Sequence, residues 1–272
     1  MVNDLSSVTA RPVRNTQFGI SSLHCWIRVF EALLHIAYRL PLKKRNVSGS
    51  DKAVILAQKT RIQQCFREKL GLRVDEPRAG GSGNSDDGNT ARRAFQSAAV
   101  FAEATGIDEG LIVQLHVLLQ AVSSNYPLSI PALTQHCCET AERYVQLYPW
   151  FAMPPTLHKL LIHVADVVEA CVLPIGMMSE EASESRNKNV RQYRLHHTRK
   201  SSRYNTMCDL FRYLLVSSDP LISSSGMYRR RVQGRRKAKP MLPAALALLA
   251  EPQKIPAAEE TTSDSDSSSD ED

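Results

Sequence analysis

Three short stretches of this 272-residue chain bring together residue types that could do chemistry. In SEEASESRNK, Ser179–Lys188, a helix would put Glu184, Lys188 and Arg191 on one face, because four and seven residues make about one and two turns. A carboxylate followed one turn later by a cation can hold a divalent metal while the cation grips a phosphate, as phosphoryl transfer requires. An ordinary surface Glu–Lys pair has the same spacing, and one carboxylate is not a two-metal site. In LHKLLIH, Leu157–His163, four residues separate His158 from His163, within the range that zinc sites use for a histidine pair. The two flank an apolar stripe on opposite sides, as unrelated surface histidines would. No C-x-x-C accompanies them, and the adjacent Cys137 and Cys138 are poorly disposed to chelate one ion. In GNTARR, Gly88–Arg93, a Gly-rich loop leads straight into paired arginines at an expected helix start, where backbone N–H groups and guanidinium forks can meet a phosphate. The glycine spacing and Lys-Ser/Thr pair of a Walker loop are missing, and a solvated helix start reads the same way.

The elements that must position these residues are helical. From Ser22 to Leu40, Leu23, Trp26, Ile27, Phe30, Leu33, Leu34 and Ala37 follow 3–4 spacing until Pro41 stops the run. A second helix is expected after a Ser50 cap, with the stripe Val54, Ile55, Ile62, Cys65, Phe66 and Leu70, interrupted by Gln58 and closed by Gly71. Residues 78–89 read as a turning or flexible loop. Four further helices are expected. One carries Leu111 to Val122, one starts at Pro131 and runs through Leu147, one carries Leu157 to Val168, and one carries Met207, Leu210, Phe211, Leu214 and Leu215. The polar segment Ser179–Lys200 is expected to be another helix, and Leu242–Ala250 a short docking helix. No period-2 run is long enough for a strand. The expected organisation is an extended segment over 1–20, a helical core over 21–224, a basic tail over 225–240 and an acidic low-complexity tail over 241–272, the tails being disordered.

Charge narrows the partners. The net charge of +6 conceals a neutral first part, residues 1–185, a segment 186–240 with 15 basic and two acidic residues (net +13), and an end 251–272 with one Lys and eight acids (net −7). A concentrated positive segment suits a polyanion, foremost a nucleic acid, although a solvated surface with a nuclear-import signal would carry the same charge. No apolar run is long enough to span a bilayer and the start lacks a signal-peptide core, so no membrane partner is expected. The six scattered cysteines read as reduced core thiols.

In this order the pieces resemble one family: the C-terminal part of the catalytic core of Transib-type DNA transposases and the V(D)J recombinase subunit known as recombination-activating protein one. The resemblance rests on SSLHCWIRVFE at Ser21–Glu31, GNTARR, LHKLLIH, IGMMSEEASESRNKNVRQYR at Ile175–Arg194 and DLFRYLLVSSDPLIS at Asp209–Ser223. It spans about residues 8–224. It implies a mainly α region: the helical insertion and C-terminal helices of an RNase-H-like, three-acid (DDE) core, with most of the sheet missing from this chain.

For function, the resemblance implies metal-dependent DNA cleavage and strand transfer, an endonuclease activity of the complete protein in the nucleus. Glu184 matches the third catalytic acid, a ligand of Mg2+ or Mn2+, and His24 lies in a segment neighbouring the active site. His158 and His163 match the histidine half of a Zn2+ site. Arg92, Arg93, Lys188, Arg191, Arg194, Arg199 and Lys200 match or adjoin DNA-contacting positions. DNA is the implied partner, with a homodimer and a second recombinase subunit as further candidates. The family's two catalytic Asp and its zinc-binding Cys pair have no counterpart here, and Asp86 and Asp87 sit in the wrong place to replace the acids. The expected protein is therefore a fragment inactive alone; the alternatives are a non-catalytic nuclear DNA-binding protein derived from a transposase, or a helical protein-interaction module.

Overall fold

Helix α1, Ser22–Arg39, forms where the apolar stripe demanded it and buries all of that stripe except Ile27, with Phe30, Leu33, Leu34 and Ala37, and Val29 beside them, fully removed from solvent. It sits at the centre of the core, packing on α2 (Asp51–Leu70), α3 (Gly88–Gln96), α4 (Ala98–Thr105), α5 (Glu109–Val122) and α7 (Pro155–Ile162). The protein is described from a computed structural model over residues 19–77, 85–225 and 240–251. Edge-to-face aromatic pairs run through this core from Trp26 to Phe95, Phe101, Phe30 and Phe66, with ring centroids 5.4–6.1 Å apart. Such pairs add about 0.5–1.5 kcal/mol each beyond the apolar area they bury.

Caps set the ends of the elements. Ser21 begins α1 by accepting from His24 N, and Asp87 begins α3 by accepting from Thr90 N at 2.8 Å. Asp108 begins α5 by accepting from Leu111 N, while Arg143 of α6 (Ile130–Leu147) donates to the same carboxylate oxygen at 2.8 Å, which ties α6 to α5. Gly71 closes α2 at φ 62°, letting Leu72 N reach Phe66 O, a turn that a side chain would strain.

Several expectations need correction. Ser50 makes no side-chain cap. Instead, the Asp51 carboxylate folds back on Ser48 N and Oγ, and these bonds hold it below the usual carboxylate range. On α2 only Ile62 and Phe66 of the expected stripe are fully buried, and Val54 is exposed. The loop expected over 78–89 ends early: α3 begins at Gly88, while 78–84 lie outside the described residues. The Leu157–Val168 helix breaks at His163 (φ −120°, ψ 0°) into α7 and α8 (Val164–Ala170), and Leu147 at the end of α6 is exposed. Helix α4 was not expected from the pattern at all. No strand forms among the described residues; Leu128 and Leu249 make an isolated antiparallel bridge. The mainly α class is thus established.

The chain divides into two units. The first comprises residues 1–188 with 242–250, and the second residues 189–241 with 251–272, so the boundary falls inside α9 (Glu181–His196). In the second unit, Tyr193 stacks on Tyr213 of α10 (Arg203–Ser218) at 5.4 Å, and Arg199 grips Asp209 through two 2.9 Å bonds. Of the stripe expected on α10, Leu210 is buried and Met207, Phe211 and Leu215 are exposed. Of the expected extended segment over 1–20, residues 1–18 lie outside the described residues, as do 226–239 of the expected basic tail (225–240) and 252–272 of the expected acidic tail (241–272). Residues 242–250, expected within that disordered tail, are instead packed on the first unit. No helix among the described residues is long and apolar enough to cross a membrane.

Candidate functional site

The chemistry singled out at Glu184 is set up by the turn that precedes α9. A 3-10 turn, Ile175–Met178, anchors through buried Ile175, and Gly176 lies against the end of α5. A Cβ on Gly176 would stand 2.2 Å from Ser124 O and 2.5 Å from Ser123 O, so this approach needs glycine. Ser179 then bridges two helices: its Oγ accepts from Glu181 N at 3.3 Å and from Ser22 Oγ at 3.2 Å. The N-terminal ends of α1 and α9 are thereby held together.

At that junction three donors converge. His24, Glu180 and Glu184 each offer one ligand atom, and these atoms all lie within 4.8 Å of one another. Glu180 and Glu184 are one helical turn apart, joined by the Glu184 N to Glu180 O bond of 2.9 Å. His24 arrives from α1, 156 residues away in sequence, with Nδ1 2.5 Å from Glu180 Oε1 and 2.9 Å from Ser21 Oγ. Ser21 Oγ also donates to Glu180 Oε1. The Ser21 bond, and secondarily His24, hold the Glu180 carboxyl below its ordinary value, so it is an anion at neutral pH. The positive end of the α9 dipole favours the same charge state. His24 and Glu184 are exposed and Glu180 half-buried, so the cluster is open to solvent.

Two carboxylates and one imidazole make a donor set that suits a divalent cation, Mn2+ better than Mg2+ because of the nitrogen ligand. The neighbouring carboxylate, Glu181, is turned away from the cluster onto Arg92, whose guanidinium also lies over the Trp26 ring at 5.4 Å. Trp26 is fixed in turn by its Nε1 bond to Ser123 Oγ at 2.8 Å. Gly88 lets α3 approach here: a Cβ would stand 2.4 Å from Leu23 Cδ1.

The remaining residues singled out from the sequence fall in different surroundings. The rings of His158 and His163 lie 5.2 Å apart, but among the described residues no third His, Cys, Asp or Glu converges with them. Asp166 stands 3.9 Å from His163 Nδ1 as an i,i+3 neighbour. All six cysteines are free; Cys137 is buried and Cys138 exposed on α6. Arg92 is engaged as described, and the exposed Arg93 donates through Nη2 to Leu70 O at the end of α2. The Arg199 fork is closed on Asp209, which it pulls down to about 2, and Lys200 Nζ caps Arg194 O. Lys188 and, in the second unit, Arg191 and Arg194 are exposed, with no side-chain partner among the described residues. Sequence reasoning missed Glu180, Ser21 and Gly176. The signal for Glu180 was its i,i+4 spacing from Glu184, read toward Lys188 instead.

No family model matches the chain, and no curated protein gives a significant match.

Proposed function

We propose that this chain is a transposase- or recombinase-like DNA-processing piece. In this reading Glu184 and Glu180 hold a catalytic Mg2+ or Mn2+, and the exposed basic residues carry DNA. The observation that supports it is the convergence of His24, Glu180 and Glu184, of which Glu184 stands out in the sequence by spacing and resemblance and His24 by resemblance alone. A bound cation would supply charge neutralisation at a phosphate and a more acidic water. The chain's own residues do the rest. Ser21 and His24 hold Glu180 ionised and oriented, and Arg92 keeps Glu181 out of the ligand set. Lys188, one turn beyond Glu184, offers a cation to a phosphodiester. Two further carboxylates of the three-acid set would have to come from elsewhere, so the chain is proposed to be inactive alone, and a homodimer or second subunit would act with it. His158 and His163 are proposed as half of a Zn2+ site on the same terms.

The test is Glu184→Gln in a protein completed with the two missing acids. Loss of cleavage with DNA affinity retained supports the reading; cleavage at the wild-type rate removes Glu184 from the chemistry. The second reading is a non-catalytic nuclear DNA-binding protein. It is favoured by the concentration of net +13 within 186–240, which binds polyanions without any metal.

A further inference from the structure

The segment Leu242–Ala250 stands between residues 226–239 and 252–272, which lie outside the described residues, yet it is well packed on the first unit. Ala245 is fully buried, and Leu248 and Leu249 are 5% and 3% exposed. One helical turn, α11 (Pro243–Leu246), is followed by backbone pairing: Ser129 N donates to Leu248 O and Ala250 N to Pro127 O, both at 2.9 Å. At the other end Leu242 N donates to Gln120 Oε1 at 2.9 Å. The receiving surface is the C-terminal half of α5 and the loop that follows it. Pro127 and Leu128 also wall a cavity of about 250 Å3 between the end of α5 and residues 168–175.

The contacts have the form of a bound peptide: main-chain bonds at both ends, with three apolar side chains seated between them. Gln120 gives the docking chemical definition. With its Oε1 accepting from Leu242, its Nε2 donates to His116 Nε2 at 3.0 Å, so the His116 ring accepts there and carries its proton on Nδ1. The amide is thus polarised in one sense by the buried ring, and its oxygen is presented to an incoming backbone N–H.

We propose that the α5 end and its following loop form a peptide-docking site, and that Leu242–Ala250 is its detachable cis ligand. The recognised chemistry is an apolar peptide with Leu at the first position, a small residue at the fourth and paired Leu at the seventh and eighth. The inference is independent of the metal and DNA reading.

The test uses the full chain with a sequence-specific protease site inserted between Gln233 and Gly234. After cleavage, gel filtration is run at about 1 M salt, where the screening length of about 3 Å removes attraction between the basic and acidic segments. The C-terminal fragment is expected to co-elute with the body and to be displaced by excess synthetic peptide spanning 240–251. Leu248→Asp with Leu249→Asp is expected to weaken the association by about 100-fold or more, since two buried leucines are lost. Unchanged melting of the body would show that the variant still folds. Immediate separation of the wild-type fragment overturns the proposal. So does co-elution that survives the double substitution, because other contacts would then be holding the fragment.

Discussion

Gly176→Ala should disturb the candidate metal centre without touching any of its ligands. The added Cβ would stand 2.2 Å from Ser124 O, 2.5 Å from Ser123 O and 2.6 Å from Ser124 C. All three are backbone atoms at the end of α5, so no side chain can swing aside. Overpacking in a well-packed region costs about 1–3 kcal/mol, and a contact this short against main chain belongs at the upper end. For a unit of this size, about 3 kcal/mol lowers the melting temperature by roughly 6–12 °C. The turn can relieve the clash by moving off α5. That movement shifts Ser179 and Glu180, because only a few residues separate them from Gly176, and it breaks the Ser22–Ser179 contact. Calorimetry and Mn2+ titration of the same sample should therefore both change, with affinity falling several-fold. A melting temperature within about 2 °C of wild type, with unchanged Mn2+ affinity, would refute the claim that this approach sets the site.

Trp26→Phe removes the bond to Ser123 and weakens the stack under Arg92, and should cost about 1–2 kcal/mol by denaturant titration. Asp86 is buried, and burial pushes its carboxyl up to about 6. Its folded-state pKa thus exceeds its unfolded one, so its contribution is present below about pH 4 and is lost as pH rises through about 6. Asp86→Asn should flatten that part of the stability–pH curve and stabilise the protein at pH 7 by on the order of 2 kcal/mol, with Asn Oδ1 still able to accept from Asp75 N. DNA affinity should fall steeply with salt. Arg191→Ala with Arg194→Ala should reduce the log–log slope by about 2, whereas an unchanged slope would exclude both residues from phosphate contact.

The sequence revealed what periodicity encodes. Helix α1 was readable because most of its stripe is also the core, though Ile27 of that stripe is only partly buried and Val29 and Ile36 outside it are fully buried. Leu242–Ala250 stood out as an apolar island, but only Pro243–Leu246 of it is helical. Helix α4 was not, since AAVFAEAT is apolar almost all round and its preceding Ser97 makes no side-chain cap. The break at His163 left no mark either, because the stripe Leu157, Leu160, Leu161, Val164, Val167 stays buried across it. On α10 the stripe misled, with Phe211 and Leu215 lying exposed. Glu184 and His24 could be chosen from local motifs, but their proximity depends on Gly176 and Ser179 meeting α5 and α1, a long-range fit that no spacing expresses. The same fit brings Arg92 against Glu181 and Trp26, contacts that no spacing expresses either.

We propose that His24, Glu180 and Glu184 form a divalent-cation site. Electron paramagnetic resonance titration with Mn2+, comparing wild type with Glu184→Gln and Glu180→Gln at unchanged helix content, tests that proposal. One saturable site is expected in the wild type, with affinity lower by about tenfold or more in each variant, because a charged ligand becomes a neutral amide. Absence of saturable binding in the wild type, or equal affinity in all three proteins, would contradict it.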